Sequence, residues 1–211
     1  MTVIDLTHAL SESMPVYPGT KPPRIVEANT VAENGFAEKL LSLYSHTGTH
    51  IDAPGHILPG AATLDDLEIG HFLGPGLVVD VSHMAGGTIE IADLEKEKAR
   101  IAAVDFVLFH TGWDSRWGQP AYFEAFPVLS AEAAVWLAEF KLKGVGVDAI
   151  SVDEMGSTAL PVHRTLMAAG FILIENLTGL NALTGKDFVF SCLPLKIAGG
   201  DGSPVRAIAF F

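Results

Sequence analysis

The segment His46–His56 (HTGTHIDAPGH) constrains this chain more than any other, because it concentrates three histidines and one aspartate in a single short run. Histidine is the commonest neutral metal ligand in proteins, and a carboxylate such as that of Asp52 can bridge two divalent ions. The two glycines allow sharp backbone turns, and the proline stiffens the turn that leads to His56. The segment therefore predicts a compact metal-binding or acid–base turn.

Two common zinc motifs do not fit this pattern. The zinc-protease helix requires His-Glu-x-x-His on one helical face, and the spacing here is different. A zinc finger with cysteine ligands is excluded because Cys192 is the only cysteine of the chain. Structural packing of the three histidines stays open as the alternative interpretation.

Composition limits the partners and the compartment. The 211 residues suit one domain spanning 1–211, and 49% hydrophobic residues provide for a substantial core. The formal net charge of −12 argues against nucleic acid and against anionic membranes as partners. There can be no intramolecular disulfide, we see no signal peptide, and no run reaches the roughly 18 apolar residues of a membrane span. We therefore expect a soluble cytoplasmic protein.

Short β-rich runs outnumber helical ones along the chain. The apolar patterns predict strands at Val3–Leu6, Lys39–Ser45, Leu77–Val81, Val104–His110, Val145–Val147, Phe171–Glu175, Phe188–Leu195 and Val205–Phe210. Helices are predicted over Ala92–Arg100, from the N-cap Ser130 to near Lys143, and over His163–Ala169. Because helices and strands do not alternate regularly, we expect one α/β domain with a mixed, barrel-like sheet and helices outside it.

A metal site centred on one turn usually takes further ligands from elsewhere in the chain. His163 precedes a predicted helix, and Glu175 ends an apolar run, where a carboxylate is costly unless it is paired or binds a metal. An ordinary strand-end acid is the alternative for Glu175. Asp148 and Asp153 are expected to orient ligands or to cap a loop. The remaining histidines are interpreted as structural or surface residues: His8, His71, His83 and His110. Cys192 is interpreted as a small buried hydrophobic residue.

The run His46–His56 resembles the H-x-G-T-H-x-D-x-P-x-H signature of the cyclase-like metal hydrolases, a family that includes bacterial kynurenine formamidases and isatin hydrolases. The signature is highly specific. Weaker pieces that also look familial follow in the right order: Asp5–Ser11, Met14–Gly19, Thr111–Trp113, Ser151–Asp153, His163, Glu175–Leu177, Leu193–Lys196 and Gly202–Arg206. The resemblance implies a swivelling β/β/α fold and assembly as a homodimer or larger homo-oligomer.

The resemblance also implies two divalent metal ions, with zinc expected and manganese as the alternative. The residues that it places on the first ion are His46, His50 and Asp52, and the residue that it places on the second is His163. Asp52 would bridge the two ions, and Glu175 would bridge them from the other side. His56 would be the acid–base residue rather than a ligand.

The implied activity is hydrolysis of a small amide C–N bond, as in the conversion of N-formylkynurenine to kynurenine and formate. A metal-activated water would attack the carbonyl, and His56 would give a proton to the departing amine. Tyr17 stands where the formamidases carry a tryptophan, and its ring keeps an aromatic face for the substrate. Trp113 or Phe72 could line the same substrate face.

Three alternatives stay open beside this activity. The first is hydrolysis of a cyclic amide such as isatin, or of another small amide or ester. The second is a metal-containing ligand-binding scaffold without catalysis. The third, a serine or cysteine nucleophile, lacks the Gly-x-Ser-x-Gly elbow that would support it.

Overall fold

The computed structural model describes every residue from Met1 to Phe211, and most of its strands join one sheet. The strands are β1 Val3–Asp5, β2 Arg24–Asn29, β3 Glu38–Ser42, β4 His50–Asp52, β5 Leu73–Asp80, β6 Thr88–Ile89, β7 Phe106–His110, β8 Val128–Leu129, β9 Gly144–Val147, β10 Ile172–Glu175, β11 Phe188–Ser191, β12 Gly202–Pro204 and β13 Ile208–Phe210. Nine of them form a mixed sheet in the order β1-β13-β11-β5-β7-β9-β10-β4-β12. Within this sheet β5, β7, β9 and β10 pair in parallel and the other pairs are antiparallel, so the expected mixed sheet is confirmed.

The helices are short. They are α1 Val31–Asn34, α2 Ile91–Leu94, α3 Lys98–Ile101, α4 Ala131–Leu137 and α5 Pro161–Ala168. The predicted N-cap is confirmed, because the Ser130 hydroxyl accepts a hydrogen bond from the Ala133 amide at 3.0 Å. The helix predicted over 92–100 is confirmed as a helical segment: a 3-10 turn at Glu95–Glu97 joins α2 directly to α3, and the only buried residues of this segment are Leu94 and Ile101. No helix has the length and apolar character to span a membrane.

Strand β7 shows how the sheet divides the core. Val107 and Phe109 pack on the side covered by α2 to α5, whereas Phe106 and Leu108 pack on the concave side. All four side chains are buried. A parallel strand covered on both faces reads as a continuous apolar run, which explains why β7 was recognisable in the sequence.

Two leucine side chains pack closely against the backbone of Gly146 in β9. A Cβ at Gly146 would lie 2.7 Å from Leu108 Cδ2 and 2.8 Å from Leu177 Cδ1, closer than carbon atoms can approach. Glycine therefore lets β9 close against the concave side. The result is a half-barrel with helices on its outer face, as expected.

Several predicted strands differ in their bounds from the observed ones, most clearly at 39–45 and near the C-terminus. The two C-terminal strands are shorter than expected, since β11 ends at Ser191 and β13 begins only at Ile208. The run expected at 39–45 becomes β3, which pairs with β2 in a hairpin outside the large sheet. In this β2–β3 hairpin the side chains of Leu40 and Leu41 are 63% and 53% exposed.

Candidate active site

The centre of the candidate site is the short strand β4, which lies between β10 and β12. His50 and Asp52 are two residues apart on a strand, so both side chains emerge on the same face. In the antiparallel register Glu175 of β10 pairs directly with His50, which places its carboxylate on that face too. All three side chains are buried.

These side chains form a dense cluster of carboxylates and imidazoles. His50 Nε2 lies 3.2 Å from Asp52 Oδ1 and 3.6 Å from Glu175 Oε2. His163, from the first turn of α5, brings its Nε2 to 3.4 Å from Glu175 Oε1 and 3.9 Å from Asp52 Oδ2. The structure therefore brings together the four buried residues that the sequence analysis singled out.

His46 and His56 lie on the more open side of the cluster. His46 Nδ1 is 2.6 Å from Asp52 Oδ1, and the rings of His46 and His56 are 3.9 Å apart. A Cβ at Gly202 of β12 would lie only 2.5 Å from His46 Cε1, so glycine is required there to seat the ring.

Asp201 is a site residue that the sequence analysis missed. Its Oδ2 lies 3.0 Å from His46 Nε2 and 3.7 Å from His56 Nδ1. Asp201 directly precedes Gly202, the start of a segment with familial resemblance, and that adjacency was the available signal. Because β12 pairs with β4, Asp201, which directly precedes β12, lies next to the site.

The donor atoms suit divalent metal ions. Two sets share Asp52, namely His46–Asp52–His56 and His50–Asp52–Glu175, and within each set the ligand atoms lie within 4.8 Å of one another. Glu175 Oε1 is buried and has no hydrogen-bond partner. A buried carboxylate oxygen without a partner is costly, and a cation removes that cost. Nitrogen and carboxylate donors of this kind match zinc and manganese.

The pKa shifts reflect the same excess of negative charge. Burial disfavours protonation of His46 and His163, yet hydrogen bonds to Asp52 and Asp201 raise the pKa of His46 to about 9. The hydrogen bond to Asp153 and the nearby negative charges of Glu175 and Asp52 likewise raise the pKa of His163 to about 10. Protons on these imidazoles balance the carboxylates, and a bound metal would displace them.

His56 behaves differently from the other two. Its burial lowers its pKa below the ordinary 6.5, and the positive charge of neighbouring histidines acts in the same direction. The imidazole is therefore neutral at pH 7 and able to accept a proton.

Two buried aspartates, Asp153 and Asp148, each bind the Nδ1 atom of a histidine. Asp153 accepts hydrogen bonds from the amides of Val162 and His163 at 3.0 Å, and from His163 Nδ1 at 2.6 Å. It thus does both things expected of it, since it caps the start of α5 and turns His163 Nε2 towards the carboxylates. Asp148, in contrast, serves a separate group: it binds His110 Nδ1 and the Thr111 amide.

A pocket of about 430 Å³ opens above the cluster. Tyr17 and Tyr44 line its wall, and both are about half exposed. No lysine or arginine lines it, and Glu154 and Asp201 are acidic residues of its lining outside the buried carboxylates.

The suggestion that Trp113 or Phe72 faces the substrate is wrong. Both side chains are 3% exposed and neither lines the pocket. Trp113 Nε1 donates to the Tyr122 carbonyl, and Phe72 belongs to the concave core. Apolar burial decided both placements, as it did for the fully buried Cys192. None of the four histidines interpreted as structural lines the pocket either.

Comparisons with known proteins agree with this geometry. A family model described as "Putative cyclase" matches residues 4–154. The kynurenine formamidase of Salinibacter ruber is 34% identical over 99% of this chain and 97% of its own length, and that of Geobacillus thermodenitrificans is 32% identical over 97% and 95%. The solved structure of isatin hydrolase A from Ralstonia solanacearum matches 99% of this chain and 91% of its own, with a TM-score of 0.86 and 29% identity.

A further solved structure, a predicted metal-dependent hydrolase from Bacillus stearothermophilus, is 31% identical over 99% of this chain and 97% of its own, with a TM-score of 0.82. Similarity therefore extends over the whole fold and includes structures described as metal-dependent hydrolases. The chain belongs to the putative cyclase family.

Proposed function

We propose that this protein is a metal-dependent arylformamidase, which hydrolyses N-formylkynurenine or a close analogue to the free amine and formate. The observation that carries the proposal is the cluster of His50, Asp52, Glu175 and His163 at the floor of an open pocket. The near full-length similarity to kynurenine formamidases supports the same reaction.

The proposed cofactor is a pair of divalent ions, zinc in the first place and manganese as the alternative. His46, His50 and Asp52 would hold one ion, and His163 the other, with Asp52 and Glu175 bridging them. The sharing of Asp52 between two donor sets supports a bridged pair. When bound, such ions acidify a water molecule and polarise the carbonyl that it attacks.

His56 is proposed as the proton carrier. Its neutral imidazole takes the proton that the attacking water loses and delivers it to the nitrogen that leaves, so that an amine departs instead of an unstable amide anion. Asp201, 3.7 Å from His56 Nδ1, would stabilise the imidazolium formed in between. Because His56 also belongs to one donor set, its role needs the direct test given below.

The pocket suits an aryl substrate that carries a positive charge. Tyr17 and Tyr44 offer aromatic faces, and Glu154 offers a carboxylate that makes no ion pair within the chain. An ammonium group on the substrate would complement Glu154. N-formylkynurenine has an aryl formamide and an ammonium group, together with an α-carboxylate for which the lining offers no lysine or arginine.

The first experiment measures kynurenine and formate release from N-formylkynurenine by the purified protein. Chelated protein, and chelated protein restored with zinc or manganese, serve as controls. Release that disappears with the chelator and returns with the metal supports the proposal. Bound metal and an intact fold without any release would reject this substrate.

Hydrolysis of isatin is the second candidate. The structure of an isatin hydrolase A from Labrenzia aggregata matches 99% of this chain with a TM-score of 0.88 and 26% identity. Isatin is a cyclic amide that the same site could open without a separate leaving group. A parallel assay with isatin decides between the two substrates.

We also propose that 1–211 form one catalytic domain that works in the cytoplasm. Both core clusters pack on opposite faces of the same sheet, whose edge pair β1–β13 joins the two ends of the chain. The free thiol Cys192 supports a reducing compartment.

Assembly as a homodimer or larger homo-oligomer is proposed as well. The β2–β3 hairpin pairs with no other strand, and it exposes Leu40 and Leu41 on its two faces. An isolated two-stranded hairpin is marginally stable in water, so contact with a second copy would explain its apolar surface.

A further inference from the structure

A buried chain of hydrogen bonds connects Tyr122, outside the pocket, with His50 at the candidate metal site. The Tyr122 hydroxyl lies 2.7 Å from Asn176 Oδ1. Asn176 Nδ2 lies 2.9 Å from the Gly48 carbonyl oxygen, which in turn lies 2.8 Å from His50 Nδ1. Tyr122, Asn176 and His50 are at most 4% exposed, so water does not compete for these groups.

Chemistry fixes the direction of every bond in this chain. A carbonyl oxygen only accepts, so Gly48 must receive hydrogen bonds both from the Asn176 amide nitrogen and from His50 Nδ1–H. The amide oxygen of Asn176 then faces Tyr122 and accepts the phenolic hydrogen. Burial raises the pKa of Tyr122 well above 10, so this hydrogen is retained at physiological pH.

The consequence falls on the other ring nitrogen of His50. With Nδ1 carrying the hydrogen, the neutral ring has a free lone pair on Nε2, the atom that faces Asp52 and Glu175. A metal-binding histidine is commonly held in its tautomer and ring angle by a bond at its second nitrogen. Here the Gly48 carbonyl makes that bond, and Asn176 holds the carbonyl.

The backbone of Asn176 is held as firmly as its side chain. Its φ of 57° is left-handed, a conformation that asparagine tolerates better than most residues. Its carbonyl accepts from the Thr49 hydroxyl at 2.6 Å, and its amide donates to the Ala149 carbonyl at 2.9 Å. Because Asn176 directly follows Glu175, the same restraints locate that carboxylate.

We propose that Asn176 and Tyr122 are positioning residues that set the tautomer and direction of His50 and thereby strengthen metal binding at the His50–Asp52–Glu175 set. The inference rests on the metal role of His50 in the proposed function. Tyr122 lies 54 residues before Asn176 in the sequence, and it would support the metal site through its hydroxyl group alone.

The test measures zinc affinity by competition with a chromophoric chelator, on full-length protein and without substrate. Tyr122→Phe removes only the hydroxyl, and Asn176→Gly removes the amide while accepting the left-handed backbone. We expect zinc affinity to fall about tenfold in Tyr122→Phe and about ten- to hundredfold in Asn176→Gly. Cobalt-loaded protein should show an altered visible absorption band in both variants, because the ligand geometry changes.

Thr178→Val is the matched control. It removes a half-buried hydrogen bond from Thr178 Oγ1 to Asp114 Oδ2 near the same region, without touching the chain to His50. Its melting temperature should fall, as for Tyr122→Phe, but its zinc affinity should stay within about twofold of wild type. Thermal melting of the metal-free proteins separates loss of stability from loss of metal binding.

Tyr122→Phe and Asn176→Gly with unchanged zinc affinity would overturn the inference, as would an equal loss in Thr178→Val. His50→Ala distinguishes this failure from failure of the proposed function. If His50→Ala binds zinc as wild type does, or wild type binds none, the ligand role itself is wrong and the inference falls with it. Because the assay contains no substrate, the zinc affinities can still be interpreted if the protein does not hydrolyse N-formylkynurenine.

Discussion

Two antiparallel strand pairs of this molecule share a hydrogen-bonding pattern and differ in everything that surrounds them. In β4 and β10 every side chain is buried, and strands continue the sheet on both sides. In β3 every side chain is exposed, and the β2–β3 hairpin has no further strand on either side. The first pair carries the candidate metal ligands, and the second carries apolar residues on its surface.

The difference shows that contacts within the chain fix the position of β4 and β10, whereas the position of the β2–β3 hairpin depends on contacts with another molecule. The β4–β10 register holds His50 and Glu175 opposite each other, because slipping β10 by one residue would turn Glu175 to the other face of the sheet. No such restraint acts on the hairpin from within the chain. Because β3 ends at Ser42, only a few residues before His46, contacts made by the hairpin can reach the edge of the site.

The largest expected effect comes from breaking the buried pair at Asp52. Asp52→Ala removes the carboxylate shared by both donor sets, so bound metal and activity should disappear together. We expect kcat/KM to fall more than about a thousandfold, with metal content measured by plasma mass spectrometry. Asp187→Ala, an exposed acid elsewhere, is the control. Normal metal content in Asp52→Ala would refute the bridging role.

His56→Ala tests the more open side of the same cluster. Loss of the proton carrier should reduce kcat by about a hundred- to ten-thousandfold while bound metal stays at the wild-type level. His83→Ala, at an exposed histidine, should change neither quantity. A parallel loss of metal would identify His56 as a ligand in the His46–Asp52–His56 set.

Gly202→Ala sharpens the comparison by disturbing the buried region without removing a ligand. The new Cβ would displace the His46 ring, and a shift of about 1 Å at a reacting site costs about a hundredfold in rate. We expect kcat/KM to fall about ten- to hundredfold in a folded protein. Gly70→Ala, where a Cβ meets nothing within 4 Å, should be neutral. Equal activities of the two variants would show that the ring is not held by this contact.

The smallest effect on catalysis is expected from the hairpin. Leu40→Glu combined with Leu41→Lys should convert the proposed oligomer to monomers in sedimentation velocity, because charges replace the apolar contact. Activity should change by less than about tenfold, since none of the candidate ligands lies in the β2–β3 hairpin. Val135→Glu, at an exposed apolar position on α4, should leave assembly intact. A monomeric wild type would remove the reason given for the hairpin's surface.

Local patterns in the sequence were sufficient for the elements that depend on neighbours in the chain. The continuous apolar run of β7 and the N-cap at Ser130 were both recognisable. The 3-10 turn inside the helical segment from Ile91 to Ile101 was not, because its charged composition does not distinguish an α-helix from a tighter helical turn. The aromatic residues Trp113 and Phe72 were placed wrongly for the same reason, since composition does not tell a core face from a pocket wall.

The sequence by itself determined the candidate ligand types and the short segment that holds most of them, since His46 to His56 are close along the chain. The prediction that this segment is a turn is wrong at its centre, because His50–Asp52 form strand β4 inside the sheet. The sequence also carried the acids and imidazole that complete the cluster. Only the tertiary structure decided that Glu175 lies opposite His50, that Asp201 reaches His46, and that Tyr122 supports Asn176. These contacts join segments far apart in sequence, and they follow from strand register and the curl of the sheet, which no local pattern encodes.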